Sequence, residues 1–268
     1  MNIYSNVPGI FYTQVLFTII TIALLFFGFS IWWWMLSIFV YFLTGCLGVT
    51  VTYHRYLSHK SFKMPTALEY LFSVFAALGG TGSSIGWVMV HKSHHKYSDR
   101  DGDPHSPHIG GWKNMFSLYQ YNVNILHVRP LLKSKFHLFL HKYYYLILAA
   151  WAAILLCFGL NVLLFAFIVP VAIQIWTSNI SNYGNHMWGY KNYDTKDNSR
   201  NTWWIALITW GEGWHNNHHA KPWSHTFKLK WWEFDISGAI IKVIAFFSGT
   251  SESVLGPTSR PSRSAIAK

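Results

Sequence analysis

Two long stretches of the sequence, residues 1–52 and residues 143–190, contain no Asp, Glu, Lys or Arg. A helix rises about 1.5 Å per residue, so roughly 20 apolar residues cross the hydrocarbon core of a bilayer. Each stretch is therefore long enough for two crossings. Turn residues divide them, Gly28-Phe29-Ser30 in the first and Phe158-Gly159-Leu160-Asn161 in the second. The pattern predicts spans near 9–28, 31–52, 143–159 and 161–182, which is an all-α integral membrane fold of four helices in two hairpins. All 21 Lys and Arg lie in residues 53–142 and 191–268. By the positive-inside rule those segments, and with them both termini, face the cytoplasm.

A third apolar segment, residues 67–90, is broken by Gly79, Gly80, Gly82, Ser83 and Ser84. If it crossed the membrane, the histidines before it (His54, His59) and after it (His91, His94, His95) would lie on opposite sides. Parity therefore predicts an interfacial or re-entrant helix. The first residues lack a basic n-region, so the first span is expected to be retained and not cleaved as a signal peptide. From Gly249 onward the chain is rich in Ser and Pro without apolar period, giving a single domain over 1–248 and a disordered tail over 249–268. No internal repeat and no redox module of its own are visible.

Composition sharpens the picture. Hydrophobic residues make up 51% of the chain and charged residues 12%, yet 15 histidines are present, so polarity is concentrated in a side chain that binds metals near neutral pH. Cys46 and Cys157 are isolated in apolar runs, which excludes a disulfide framework, a CxxC site and a thiolate haem site.

Three histidine clusters stand just outside the apolar stretches: His54/His59, His91/His94/His95 and His215/His218/His219. In the last two the HxxHH spacing projects imidazoles from one turn of helix toward a common region. His54 and His59 are five apart, about 140° around an ideal helix, so the helix is expected to end or distort between them. So many imidazoles exceed what one tetrahedral zinc needs, and two metal ions, most simply iron, are the economical reading. Asp99, Asp101, Asp103, Glu212 and Asp235 are candidates to hold the far ring nitrogens. His108, His127, His137, His141 and His225 are expected to be ordinary packed or solvated side chains, and His105 to serve a turn.

The order and content of HRYLSH (54–59), HKSHH (91–95) with KYSDRDGDPHSP after it, and GEGWHNNHH (211–219) resemble the three histidine boxes of the membrane fatty-acyl desaturases, of the Δ9 type acting on acyl-CoA or acyl-lipid. The resemblance covers roughly residues 45–240. It implies four spans with a cytoplasmic helical cap holding a di-iron site, and a further ligand, His186, four residues after Asn182, which would act through a bound water. The implied ligand set is His54, His59, His91, His94, His95, His186, His215, His218 and His219. It also implies that Trp87 lines a substrate tunnel. Asn179 departs from the family, which often has an aromatic there. The implied reaction is an oxygen-dependent insertion of a cis double bond into a saturated fatty acyl chain, carried as a CoA, lipid or carrier-protein ester. Dioxygen is the co-substrate, and electrons come from an external donor such as ferredoxin or cytochrome b5. The formal charge of +11 suits anionic membrane lipid head groups, substrate phosphates or an acidic carrier, and nothing points to nucleic acid. The rival readings are a di-iron hydroxylase or monooxygenase of alkyl, sterol or carotenoid substrates and, more remotely, a metal transporter. The five-residue spacing of the first box and spans free of acidic or basic residues speak against each in turn.

Overall fold

The computed structural model describes residues 7–118 and 124–248, which contain no β-strand and are organised as helices. The tail expected to be disordered, residues 249–268, lies outside the described residues. Helix α1 (Val7–Leu24) ends four residues before its expected limit, and the chain turns at Gly28, whose φ of +61° suits a residue without a Cβ. Helix α2 runs from Ile31 to Ser58, 28 residues, longer than the expected 31–52. It is α-helical to Tyr41 and π-helical from Phe42 to Ser58.

The π segment is the physical answer to the spacing of the first histidine pair. Its hydrogen bonds run i to i+5, so residues five apart stack on one face instead of diverging. His59 N donates to His54 O at 3.2 Å, and the Thr52 hydroxyl to Leu47 O at 2.9 Å. The two imidazoles end with ring centroids 5.1 Å apart.

The expected helix over 67–90 is two helices, α3 (Thr66–Leu78) and α4 (Ser84–Tyr97). Gly80 (φ +80°) and Gly82 (φ +107°) turn the chain between them, and the Ser83 hydroxyl caps α4 by accepting from Gly86 N at 3.3 Å. The break is clamped from α5 (Lys135–Lys142) and α6 (Tyr144–Cys157): the Ser83 hydroxyl bonds to His141 Nδ1 at 2.6 Å, Ser84 to His137 Nδ1 at 2.8 Å, and Gly82 N donates to the Tyr144 hydroxyl at 3.0 Å. Helices α5 and α6 are bent by 73° at Tyr143. Helix α7 (Leu160–Met187) starts after Gly159 and continues past the expected limit at residue 182, carrying His186 on its last turn. Three short helices follow, α8 (Trp203–Ile208), α9 (His215–Ala220) and α10 (Ile236–Phe247).

Helices α2 and α7 are each long and apolar enough to cross a bilayer, and α5 with α6 makes a third candidate if the bent pair is one span. The outer faces carry bare apolar side chains: Ile19, Phe26, Trp32 and Leu146 are all more than 60% exposed. The polar side chains of these helices turn inward. Gln14 is fully buried with its amide donating to Met115 O at 2.9 Å, and Ser37 donates to Phe165 O at 2.7 Å. That inside-out arrangement suits a lipid environment, where an unpaired polar group is costly.

Helix α3 lies so close to α2 that a Cβ on Gly48 would sit 2.5 Å from the backbone nitrogen of Ala76. Gly48→Val is expected to destabilise the protein by about 1–3 kcal/mol through overpacking. A lowered thermal midpoint of the detergent-purified variant would show it, and an unchanged midpoint would contradict the close packing of α2 on α3.

Candidate metal centre

The ends of α2, α4, α7 and α9 meet in one place, and their histidines sort into two groups. His54, His59, His91, His95 and His218 form the first, and His94, His186, His215 and His219 the second; within each, the offered ring nitrogens all lie within 4.8 Å of one another. Together they are the nine histidines named from the sequence. Helix geometry explains the division. In each HxxHH run the outer and last histidines, four apart, share a face: His91 and His95 go to the first group, and His215 and His219 to the second. The middle histidine of each run, His94 or His218, points across to the other group.

Helix α9 is held in this pose by Asn201, whose side-chain oxygen accepts from Asn216 N at 3.0 Å and Asn217 N at 3.2 Å. Gly213 allows the approach, since a Cβ there would run into the backbone of Ala206. Trp214 is fully buried beside it, and its indole donates to Phe234 O at 2.5 Å.

The nitrogens themselves test whether cations fit. In the first group, Nε2 of His54 is 2.9 Å from Nε2 of His218, which is 2.9 Å from Nε2 of His95, and Nε2 of His59 is 2.7 Å from Nε2 of His91. In the second, Nε2 of His94, His186 and His219 and both nitrogens of His215 are buried without a hydrogen-bond partner. A neutral imidazole has one donor and one acceptor nitrogen, so a ring of converging Nε2 atoms cannot satisfy itself. Divalent cations between them would, and both groups fit that role.

Four rings are fixed from behind by carboxylates at Nδ1, leaving Nε2 for a metal. His94 donates to Asp103 at 3.0 Å, His186 to Asp99 at 2.8 Å, His219 to Asp197 at 2.7 Å, and His54 to Glu212. The sequence places Asp99, Asp103 and Glu212 in this role, and the structure sets each behind a histidine. Asp235, the fourth candidate, bonds none of the nine histidines. Arg55, buried and laid over the Phe227 ring at 3.8 Å, intervenes, donating to Asp235 at 2.9 Å and to Glu212 at 3.4 Å. Asp235 instead caps α10 through Gly238 N at 2.9 Å. Asp101 is exposed. Asp197 was missed, because it stands 22 residues before His219 in a polar loop that gives no signal of its own.

Electrostatics favour ligation. Burial pushes His59 down to about 3 and, against its hydrogen bond to Asp197, His219 down to about 4. Burial and then neighbouring imidazoles hold His91, His95, His215 and His218 well below the usual range. These rings are neutral at pH 7, as a ligand must be. His94 moves the other way: burial lowers it, but Asp103 together with Asp99 and Asp197 raises it by more. Burial works against Asp99, Asp103 and Asp197, yet hydrogen bonds and charges from their histidines hold all three low and ionised. Burial lifts Glu212 to about 8 despite the pull of Arg55. Outside the groups, burial and then repulsion from Lys60 lower the Lys92 ammonium.

A cavity of about 130 Å³ reaches this centre at His91. Its lining runs from Tyr41 and Gly45 on α2, past Gln174 and Ile175 on α7, to His91, Asn182 and Glu212. Trp87 lies in its wall, stacked on His91 with centroids 4.9 Å apart. Asn182 precedes His186 by one helical turn. Asn179 donates to Ser117 at 2.8 Å and Gln14 at 3.2 Å, so the position that departs from the family pattern ties α7 to α1. His105 is buried with its ring 4.3 Å from that of His94, and it too reaches the cavity. The remaining histidines hold structure. Besides its bond to Ser84, His137 bonds Glu69 at 3.0 Å, and His108 donates to His186 O at 3.2 Å.

A model of the fatty acid desaturase family matches residues 30–236. The chain is 38% identical over 218 residues, 76% of its length, to a palmitoyl-monogalactosyldiacylglycerol delta-7 desaturase of Arabidopsis thaliana, and spans 57% of that protein. It is 35% identical over 251 residues, 90% of its length, to delta-9 acyl-lipid desaturase 2 of the same plant, covering 81% of it. It is 36% identical over 232 residues, 82% of its length, to an acyl-CoA 5-desaturase of Anemone leveillei, covering 70% of it.

The Asp197–His219 contact generates a test of the second group. Asp197→Asn is expected to weaken metal binding roughly 10- to 100-fold, as loss of a carboxylate behind a histidine ligand does. Chelator competition on the purified protein reads this, with exposed Asp194→Asn as the control. Equal affinity in the two variants would remove Asp197 from the centre.

Proposed function

This chain belongs to the fatty acid desaturase family, and from that premise we propose that it is an integral membrane, di-iron, oxygen-dependent desaturase that places a cis double bond, at Δ9, in a fatty acyl chain. The observation that carries the reading is the meeting of two adjacent histidine groups, the first of which opens through His91 on a cavity that Asn182 and Glu212 also line. Nine histidines would hold two iron ions, five to one and four to the other, with Asn182 reaching the second through water. An acyl-lipid is the favoured substrate. Two of the three relatives described above act on lipids by name and one on acyl-CoA, and their bonds fall at positions 7, 9 and 5.

We place this centre in a cytoplasmic cap over four spans, with residues 1–248 as one domain and both termini cytoplasmic. The concentration of Lys and Arg outside the apolar stretches supports that orientation. When bound, two irons and dioxygen supply the oxidising power to take hydrogen from unactivated methylenes, which no side chain can do. The chain's own residues do the positioning. A saturated acyl chain offers no polar handle, so the cavity walls must set which carbons stop beside His91 and Asn182. Trp87, fixed by stacking on His91, narrows the wall there. Glu212 holds His54 at Nδ1, on the side of the ring away from Nε2. Over a full turnover, dioxygen gains four electrons to become two waters. Two come with the two C–H bonds that are broken, and two come singly from an external carrier with two protons.

Expression in a host without its own desaturase, with a reductase and ferredoxin or cytochrome b5, is expected to yield new monounsaturated chains in the fatty-acid methyl esters, absent in His94→Ala. Mass spectrometry then gives the bond position. Hydroxylated chains in place of alkenes would overturn desaturation in favour of oxygen insertion.

A further inference from the structure

We infer that the basic face made by Lys60, Lys92 and Lys96, beside the five-histidine group, is the docking surface for an acidic one-electron carrier protein. The inference rests on the desaturase reading, which requires two single electrons from outside for each turnover. It names where they enter.

Three observations converge on this face. First, His54, His91 and His218 of the five-histidine group are buried, whereas His59 and His95 keep some solvent contact. Their rings lie 4.6 Å apart. The first group therefore comes nearest the surface at these two residues. Second, the lysines frame that opening. Lys60 follows His59 directly and is exposed, on a left-handed backbone (φ +51°) that turns the chain sharply away. Lys92 and Lys96 stand one turn apart on α4, next to His91 and His95, and Lys96 is exposed. Lys92 Nζ donates to His127 O at 3.2 Å, which seats the Ile125–Val128 turn against α4 and sets Leu126, 67% exposed, at the edge of the patch. An apolar contact bordered by charge is common in protein interfaces.

Third, these charges are not spent within the molecule. Among the described residues no lysine is in an ion pair. Among the described residues only Asp101 and Asp194 are exposed acids, and the other seven are turned inward. Asp99, Asp103, Asp197 and Glu212 hold ligand histidines, Glu69 holds His137, Asp235 holds Arg55, and Glu233 accepts from Asn217 at 2.9 Å. An unmatched positive face steers a negatively charged partner and fixes its orientation. Electron transfer weakens steeply with distance, so a carrier gains most by docking where ligand rings come nearest the surface. A lipid head group would need no such proximity.

The test uses the iron-loaded full chain in nanodiscs, with two probes, an acidic [2Fe–2S] ferredoxin and the soluble haem domain of cytochrome b5. Affinity is measured against salt, and carbodiimide cross-links are mapped by mass spectrometry. The expected result is salt-sensitive binding of at least one carrier, cross-linked at Lys60, Lys92 or Lys96. The combined variant Lys60→Glu, Lys92→Glu, Lys96→Glu should bind roughly tenfold more weakly or worse. Lys133→Glu, Lys135→Glu, Lys228→Glu should bind as the parent does. Iron content and a single turnover driven by dithionite stay unchanged in the first variant, which separates lost docking from a damaged fold. Cross-links elsewhere, unchanged affinity in the first variant, binding of neither carrier, or loss of binding only to anionic vesicles would each overturn the assignment. If dithionite yields no alkene even in the parent, it is the desaturase reading that fails, independently of the binding result.

Discussion

Imidazole nitrogens that converge in a buried site, more of them than neutral rings can satisfy among themselves, are tolerable only around positive charge, and this constraint organises the rest of the chain. Nine such rings are brought together from four helix ends. Burial lowers the pKa of His59, His91, His95, His215, His218 and His219, so these rings are neutral and ready, while Asp99, Asp103 and Asp197 stay ionised behind His186, His94 and His219 and keep the Nδ1 proton in place. The glycines and clamps elsewhere serve the same end. Gly80 and Gly82 swing α4 back over α2, and Asn201 seats α9, because each helix must deliver its histidines to one small volume.

The constraint also divides the charge. Seven acids are absorbed by the interior, four of them behind histidines of the centre, whereas the lysines remain outside and unpaired among the described residues. The strong positive balance of the sequence is thus a surface property, and the chemistry inside is carried by neutral rings and local pairs. The cavity that meets this centre presents more apolar than polar surface, which suits the proposed acyl substrate.

Much of this was legible in the sequence. The histidine runs announce the centre because HxxHH places imidazoles on one helical face, and charge-free stretches announce the long helices. The π-helical turn of α2 was legible only as a problem, five residues and 140° apart on an ideal helix, and the structure solves it by changing the helix period. The glycines mark the break between α3 and α4, but nothing local in the sequence says that His137, His141 and Tyr144 clamp it and make two helices of one apolar segment. Proximity along the chain misled for Asp235, sixteen residues after His219, where Arg55 stands between it and the site. The partner of His219 is Asp197, in a loop whose sequence carries no sign of the task.

The most direct test of the account is X-ray absorption at the iron edge of the purified, metal-loaded chain, with the iron content measured on the same sample. The account predicts two irons per chain, each surrounded by nitrogen and oxygen scatterers with the multiple-scattering signature of several imidazoles, and loss of that signature in His218→Ala. A single metal per chain, or a shell dominated by carboxylate oxygen or sulfur, would contradict it.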